Sequence, residues 1–135
     1  MNMPPLLNRS AIVVALALTL VGCGKTPEQH FQQAQQRVQK REYKAAIIEL
    51  KTVLQEQPDN REARQLLGEV YFKNAAYPDA LKELSQARSL GTPDEQVLPT
   101  LAEVYVRMGE PQKTLDLGVP ATGLSAHSLA KLHVL

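Results

Sequence analysis

An all-α solenoid of stacked helical hairpins is the fold this chain predicts, and three observations predict it. The sequence resembles itself at a spacing of 34 residues, small residues recur where two helices would cross, and proline- or asparagine-marked breaks separate apolar-periodic stretches. At that spacing Tyr43 matches Tyr77, Ala46 matches Ala80, Glu49 matches Glu83 and Leu50 matches Leu84. One helix later Leu67 pairs with Leu101, Glu69 with Glu103, Val70 with Val104 and Tyr71 with Tyr105. Ala34, Gly68 and Ala102 hold one small position in all three units. Antiparallel helices whose axes approach to about 8–10 Å leave no room for a long side chain at the crossing, so Gly68 and Ala80 are expected there.

The elements follow in order. Residues 1–22 read as an export signal: Arg9 gives a short positive region and Ala11 to Leu20 an uncharged apolar run. The run is shorter than the roughly 20 apolar residues a spanning helix needs. Residues 23–27 form a short linker, and helices are predicted over about 28–41, 43–57, 60–74, 78–90, 97–108 and 111–117. Pro58-Asp59-Asn60 ends one helix and caps the next; Pro78-Asp79 is expected to do likewise after Tyr77. Gly91-Thr92-Pro93-Asp94 closes the second unit. Pro99 in a helix interior would cost a hydrogen bond and clash with the preceding turn, so that helix is expected to start near Leu98.

A helical repeat of 34 residues is the tetratricopeptide (TPR) period, and Leu67-Gly68, Tyr71, Tyr77, Ala80, Leu84 and Ala87 resemble the core positions of that family. The units are about 27–60, 61–94 and a partial 95–117, some two and a half repeats. In the first, His30 and Gln33 stand where Trp and Leu are typical, as suits a solvent-facing terminal repeat. In the third, Pro111 replaces an aromatic, Thr114 replaces the small Ala, and Gly118, Pro120 and Gly123 break the second helix. The tail 118–135 lacks the polar face of a capping repeat. Either it folds back over the open flank, or the chain is the front end of a longer repeat protein; the second is the favoured expectation.

Composition limits the function classes. The 135 residues include no Trp and only 2 Phe, which argues against a nucleic-acid binder that works by aromatic stacking. All 14 acidic residues and all but one of the 15 basic ones follow residue 22, so the chain beyond the signal is formally neutral and has no overall pull on nucleic acid or anionic lipid. Cys23 is the only cysteine, which excludes an intramolecular disulfide. Leu20-Val21-Gly22-Cys23 resembles the bacterial lipobox. That resemblance implies cleavage before Cys23, a diacylglycerol thioether on its sulfur and a covalent lipid as the sole attached group. Gly24 in place of an Asp after the cysteine implies, by analogy, an outer-membrane destination facing the periplasm. The lipobox together with Tyr43 to Lys51, Pro58 to Glu69, Lys82-Glu83-Leu84, Val97-Leu98-Pro99 and Gly109 to Lys113 resembles the start of the TPR lipoproteins of the PEP-CTERM/exosortase system, the PrsT type. Members of that family are associated with exopolysaccharide production and exosortase-dependent sorting, which implies a periplasm-facing scaffold.

No catalytic constellation is legible. His30, His127 and His133 lack metal-ligand spacing. Ser125 or Ser128 with His127 and Asp116 has no nucleophile elbow to present the serine, and the glycines lack phosphate-loop spacing. A non-enzyme without cofactor or metal is expected. Glu62, Gln65, Glu69, Phe72 and Lys73 fall on one helical face, continued by Phe31, Gln35 and Val38 before them and by Glu103, Val106 and Arg107 after them. This face is expected to be either a solvated surface or a groove for a protein partner, with an exposed Phe72 as its best anchor. The expected function is a membrane-anchored scaffold binding a protein of exopolysaccharide export or PEP-CTERM sorting. The alternative is a TPR lipoprotein assisting outer-membrane β-barrel assembly or pilus biogenesis.

Overall fold

A computed structural model describes residues 24–118. These residues fold into six helices and contain no strand: α1 (Pro27–Gln39), α2 (Tyr43–Glu56), α3 (Arg61–Lys73), α4 (Tyr77–Ser89), α5 (Asp94–Arg107) and α6 (Gln112–Asp116). Each helix packs on the next in the chain, and α3 also touches α5.

Local chemistry sets the starts. Thr26 caps α1: its hydroxyl accepts from the Gln29 amide while the Gln29 side chain accepts from the Thr26 amide, a reciprocal capping box followed by Pro27 in the first turn. Asn60 caps α3, its Oδ1 accepting from the Ala63 amide at 2.9 Å, and is itself held by the Gln57 Oε1, 2.8 Å from its Nδ2. The start of α4 differs from the sequence expectation. The helix begins at Tyr77 with Ala76 at the cap, and Pro78 and Asp79 lie inside its first turn. Proline is at home there because first-turn amides have no intrahelical partner, and Asp79 complements the positive end of the helix dipole.

The expected start of α5 near Leu98 is also corrected. The helix begins at Asp94, and Pro99 is its sixth residue. Val97, in the turn before Pro99, is fully buried and packs in the core. Burial of an aliphatic side chain of that size stabilises by about 1.5–3 kcal/mol, which offsets the backbone hydrogen bond that proline removes. Asp94 and Glu95 in the first turn add favourable charge at the helix start.

The 34-residue period is written into the backbone as well as the side chains. Arg41, Ala75 and Gly109 occupy one position of the three units, and all are left-handed, with φ of 60°, 59° and 80°. Each closes the first helix of its hairpin in the same way: the amides of Glu42, Ala76 and Glu110 donate back to the carbonyls of Arg37, Tyr71 and Tyr105, each at 2.9 Å.

Two aliphatic clusters make the core. The first gathers Ala34, Ala46, Leu50, Val53, Ala63, Leu67 and Val70; the second gathers Ala80, Leu84, Ala87, Val97, Leu101 and Val104. Tyr71 packs against both. The crossing of α3 and α4 is as close as the small residues predict. A Cβ on Gly68 would lie 2.6 Å from Leu84 Cγ and 3.1 Å from the Leu84 amide nitrogen, while Ala34, Ala80 and Ala102 are wholly buried.

Candidate functional site

The face predicted from sequence is a mixed polar surface with its aromatic residues drawn partly inward. Gln35, Glu62, Lys73 and Arg107 are exposed, and Gln65, Glu69 and Glu103 are half-buried. Glu62 is held by the neighbouring Arg61 at 2.8 Å. That guanidinium hydrogen bond, with help from its own backbone amide, keeps the Glu62 carboxyl below the usual carboxylate range. One turn on, the Gln65 amide donates to Glu69 Oε1 at 3.0 Å, so the two side chains form one ordered polar pair.

Three apolar members are placed differently from the expectation. Phe72 is not an exposed anchor: it is half-buried against the second core cluster, with its ring 6.0 Å from the Tyr77 ring and tilted by 52°. An aromatic pair of this geometry adds about 0.5–1.5 kcal/mol beyond burial alone, so the ring serves the hairpin first. Val106 is fully buried and belongs to the core. Val38 is half-buried against the first cluster. Phe31 packs against the same cluster but keeps one face free, in a shallow cavity of about 220 Å³ shared with Pro27, Glu28, Gln32, Gln57 and Asn60. The backbone amide of Glu28, with the side chains of Thr26 and Gln57, holds the carboxyl on that rim below its ordinary value.

The structure adds a polar feature that the sequence reading missed. Polar contacts between the first and second helix of a hairpin repeat at 34 residues: His30 Nδ1 lies 2.6 Å from Glu49 Oε2, and Arg64 Nη1 forms an ion pair with Glu83 Oε2 at 2.7 Å. Arg37 Nε reaches the other Glu49 oxygen at 3.5 Å and its Nη1 binds Glu42 at 3.0 Å. Arg64 also donates from Nη1 to the Gln86 side chain at 2.6 Å and from Nε to the Pro58 carbonyl at 2.9 Å. In the third unit the same two positions are Leu98 and Leu117, and both pack on the second core cluster. The signal was present in the matched pair Glu49 and Glu83: a carboxylate repeated on a core-facing register needs a partner. It was obscured because its partners, His30 and Arg64, are chemically unlike.

Among the described residues no three His, Cys, Asp or Glu side chains come together as a metal site, and no helix is long and apolar enough to cross a membrane. Cys23, the expected signal, and the Ser125, His127, Ser128 and His133 side chains lie outside the described residues.

Comparison with known proteins bears on the fold. Two solved structures of MamA, a point mutant and MamA AMB-1, superpose with a TM-score of 0.65 at 20% identity. They cover 81% and 80% of this chain, which in turn spans 60% and 64% of theirs. No curated protein matches the sequence. The tetratricopeptide repeat model matches residues 29–103, the stretch that carries the first two left-handed turns, at Arg41 and Ala75, and both repeated side-chain pairs, and the chain belongs to that family.

Proposed function

We propose that the chain is a non-enzymatic, lipid-anchored scaffold that faces the periplasm and holds a protein partner of exopolysaccharide production, export or PEP-CTERM sorting. TPR hairpins supply a protein-interaction module. The observation that carries the finer reading is Leu20-Val21-Gly22-Cys23, set a few residues before the first repeat helix at Pro27. Two or three acyl chains on Cys23, at about 0.8 kcal/mol per buried methylene, give stable attachment where one chain would be marginal. Gly24 after the cysteine supports the outer membrane by analogy with lipoprotein sorting. The partner face is the polar run of α3, where Glu62, Gln65, Glu69 and Lys73 are ordered on a helix that packs against α2 and α4. Helix-borne groups of this kind hold a docking surface with little loss of side-chain freedom.

Two experiments test it. Cell fractionation of Cys23→Ala is expected to find the protein unprocessed or released from the membrane; a processed variant that still sediments with membranes removes the lipid anchor from the reading. A photocrosslinker placed at Lys73 in living cells is expected to capture a polysaccharide-export or sorting protein. Capture of an outer-membrane barrel or secretin instead moves the assignment to barrel assembly or pilus biogenesis.

A further inference from the structure

The cations of the described residues are unevenly engaged. Arg61, Arg64, Arg88, Arg37, Lys82 and Lys113 each lie against a carboxylate, Lys25 donates to Gln33, and Lys51 sits over the Tyr71 ring. Among the described residues Lys40, Arg41, Lys44 and Lys73 hold no carboxylate, and these four, with Arg107, stand at the turns that join the two helices of each hairpin. Lys40, Lys73 and Arg107 are explained by the fold, since they complement the negative ends of α1, α3 and α5. Arg41 follows Lys40 at the left-handed turn that closes α1. Lys44 is not explained in this way: it lies in the first turn of α2, which contains no acidic residue, and stands against the dipole of its own helix.

The two cations share a concave surface of about 430 Å³ with Glu42, Tyr43, Ala45 and Asn74. Glu42 does not neutralise it, because its carboxylate is held by Arg37 at 3.0 Å. One turn along α2 from Lys44, Ile48 is 66% exposed, one of two large apolar side chains that the structure leaves this open. A guanidinium fork and an ammonium beside a shallow recess, with an exposed aliphatic side chain near them, make a surface for carboxylates spaced with apolar residues. A bilayer would gain little from one isoleucine, and nucleic acid would find only the half-buried Tyr43 ring to stack on.

We infer that this turn-edge recess docks an acidic polypeptide segment, with Arg41 and Lys44 taking its carboxylates and Ile48 an apolar side chain. This surface is independent of the lipid anchor. The test is fluorescence anisotropy of the full chain with a fluorescein-labelled peptide of glutamates carrying leucine at every fourth position. Binding is expected to weaken as salt rises and to fall about tenfold or more in Lys44→Glu, a change that suits the positive start of α2 and leaves the fold intact. Arg41→Gly is expected to bind more weakly while melting at a higher temperature, since glycine accepts the left-handed φ. Ile48→Ser is expected to weaken the leucine-containing peptide and leave an all-glutamate peptide unaffected. Glu56→Lys, at the other end of α2, is expected to retain binding at or above the parent level. Parent-like binding by Lys44→Glu overturns the inference. So does equal binding of a glutamine analogue of the peptide, or Lys44-dependent capture by phosphatidylglycerol vesicles in place of the peptide.

Discussion

Gly68→Leu probes the close approach of α3 to α4. The first added carbon alone lies 2.6 Å from Leu84 Cγ, 2.9 Å from its Cδ2 and 3.1 Å from its backbone nitrogen. Leu84 is wholly buried, so its side chain cannot swing aside into solvent. Overpacking of this kind costs typically 1–3 kcal/mol, and a clash that involves the backbone places it near 3. Replacing glycine inside a helix recovers about 1 kcal/mol of propensity. The net expectation is a loss of about 2 kcal/mol, which for a domain of this size lowers the melting midpoint by about 10 °C. Urea and thermal melts followed by circular dichroism would read it. Combining Gly68→Leu with Leu84→Ala should cost at least about 1 kcal/mol less than the two changes added, because the smaller partner makes room. A Gly68→Leu protein as stable as the parent, or strict additivity of the pair, would refute the crossing geometry.

Three further outcomes are expected. Ala75→Gly should stabilise by about 1 kcal/mol in urea melts, because its φ of 59° costs an alanine and not a glycine; a destabilised variant would show that the turn does not hold that conformation in solution. Arg64→Leu should destabilise by about 3 kcal/mol by leaving the largely buried Glu83 with only the exposed Lys82 ammonium at 3.9 Å, and adding Glu83→Leu should recover most of the loss by reproducing the Leu98 and Leu117 pair; a double variant no better than the single one would refute this. The Asp94 carboxyl should titrate below its ordinary 3.8, since Arg88 binds both its oxygens at 2.7 and 3.0 Å. A depressed folded value means its contribution to stability is complete above about 3.8 and is lost as pH falls through the folded midpoint. NMR titration should show that midpoint rising toward 3.8 in Arg88→Ala, and an unmoved midpoint would exclude the guanidinium as its cause.

What the sequence made legible depended on periodicity. The 34-residue matches fixed the hairpins and core residues such as Leu50, Leu67 and Leu84 because burial repeats with the fold. The start of α5 was misjudged because a local rule, proline as a helix breaker, was weighed without the tertiary pull of Val97. Phe72 and Val106 were placed on the open face because helical spacing gives an angle and not a depth; the ring of Tyr77 covers part of one, and the other is wholly buried. The polar pairs escaped notice for a different reason. What repeats at positions 30 and 64 is a polar nitrogen within reach of the matched glutamate, while the residue identities, His and Arg, differ.

The ring of Tyr71 touches both aliphatic clusters, with Lys51 Nζ 6.0 Å above it. In a linear array, stability is a sum of unit terms and nearest-neighbour couplings. Polar pairs bridge the two helices of the first and second hairpins, and Leu98 and Leu117 take their place in the third, so the two ends of the array are expected to respond unequally to salt. Tyr71, with the close approach of Gly68 to Leu84, is the contact through which the two clusters are expected to be coupled. Loosening that ring should broaden the melting curve before it lowers it, turning a cooperative unit into two that fray from opposite ends.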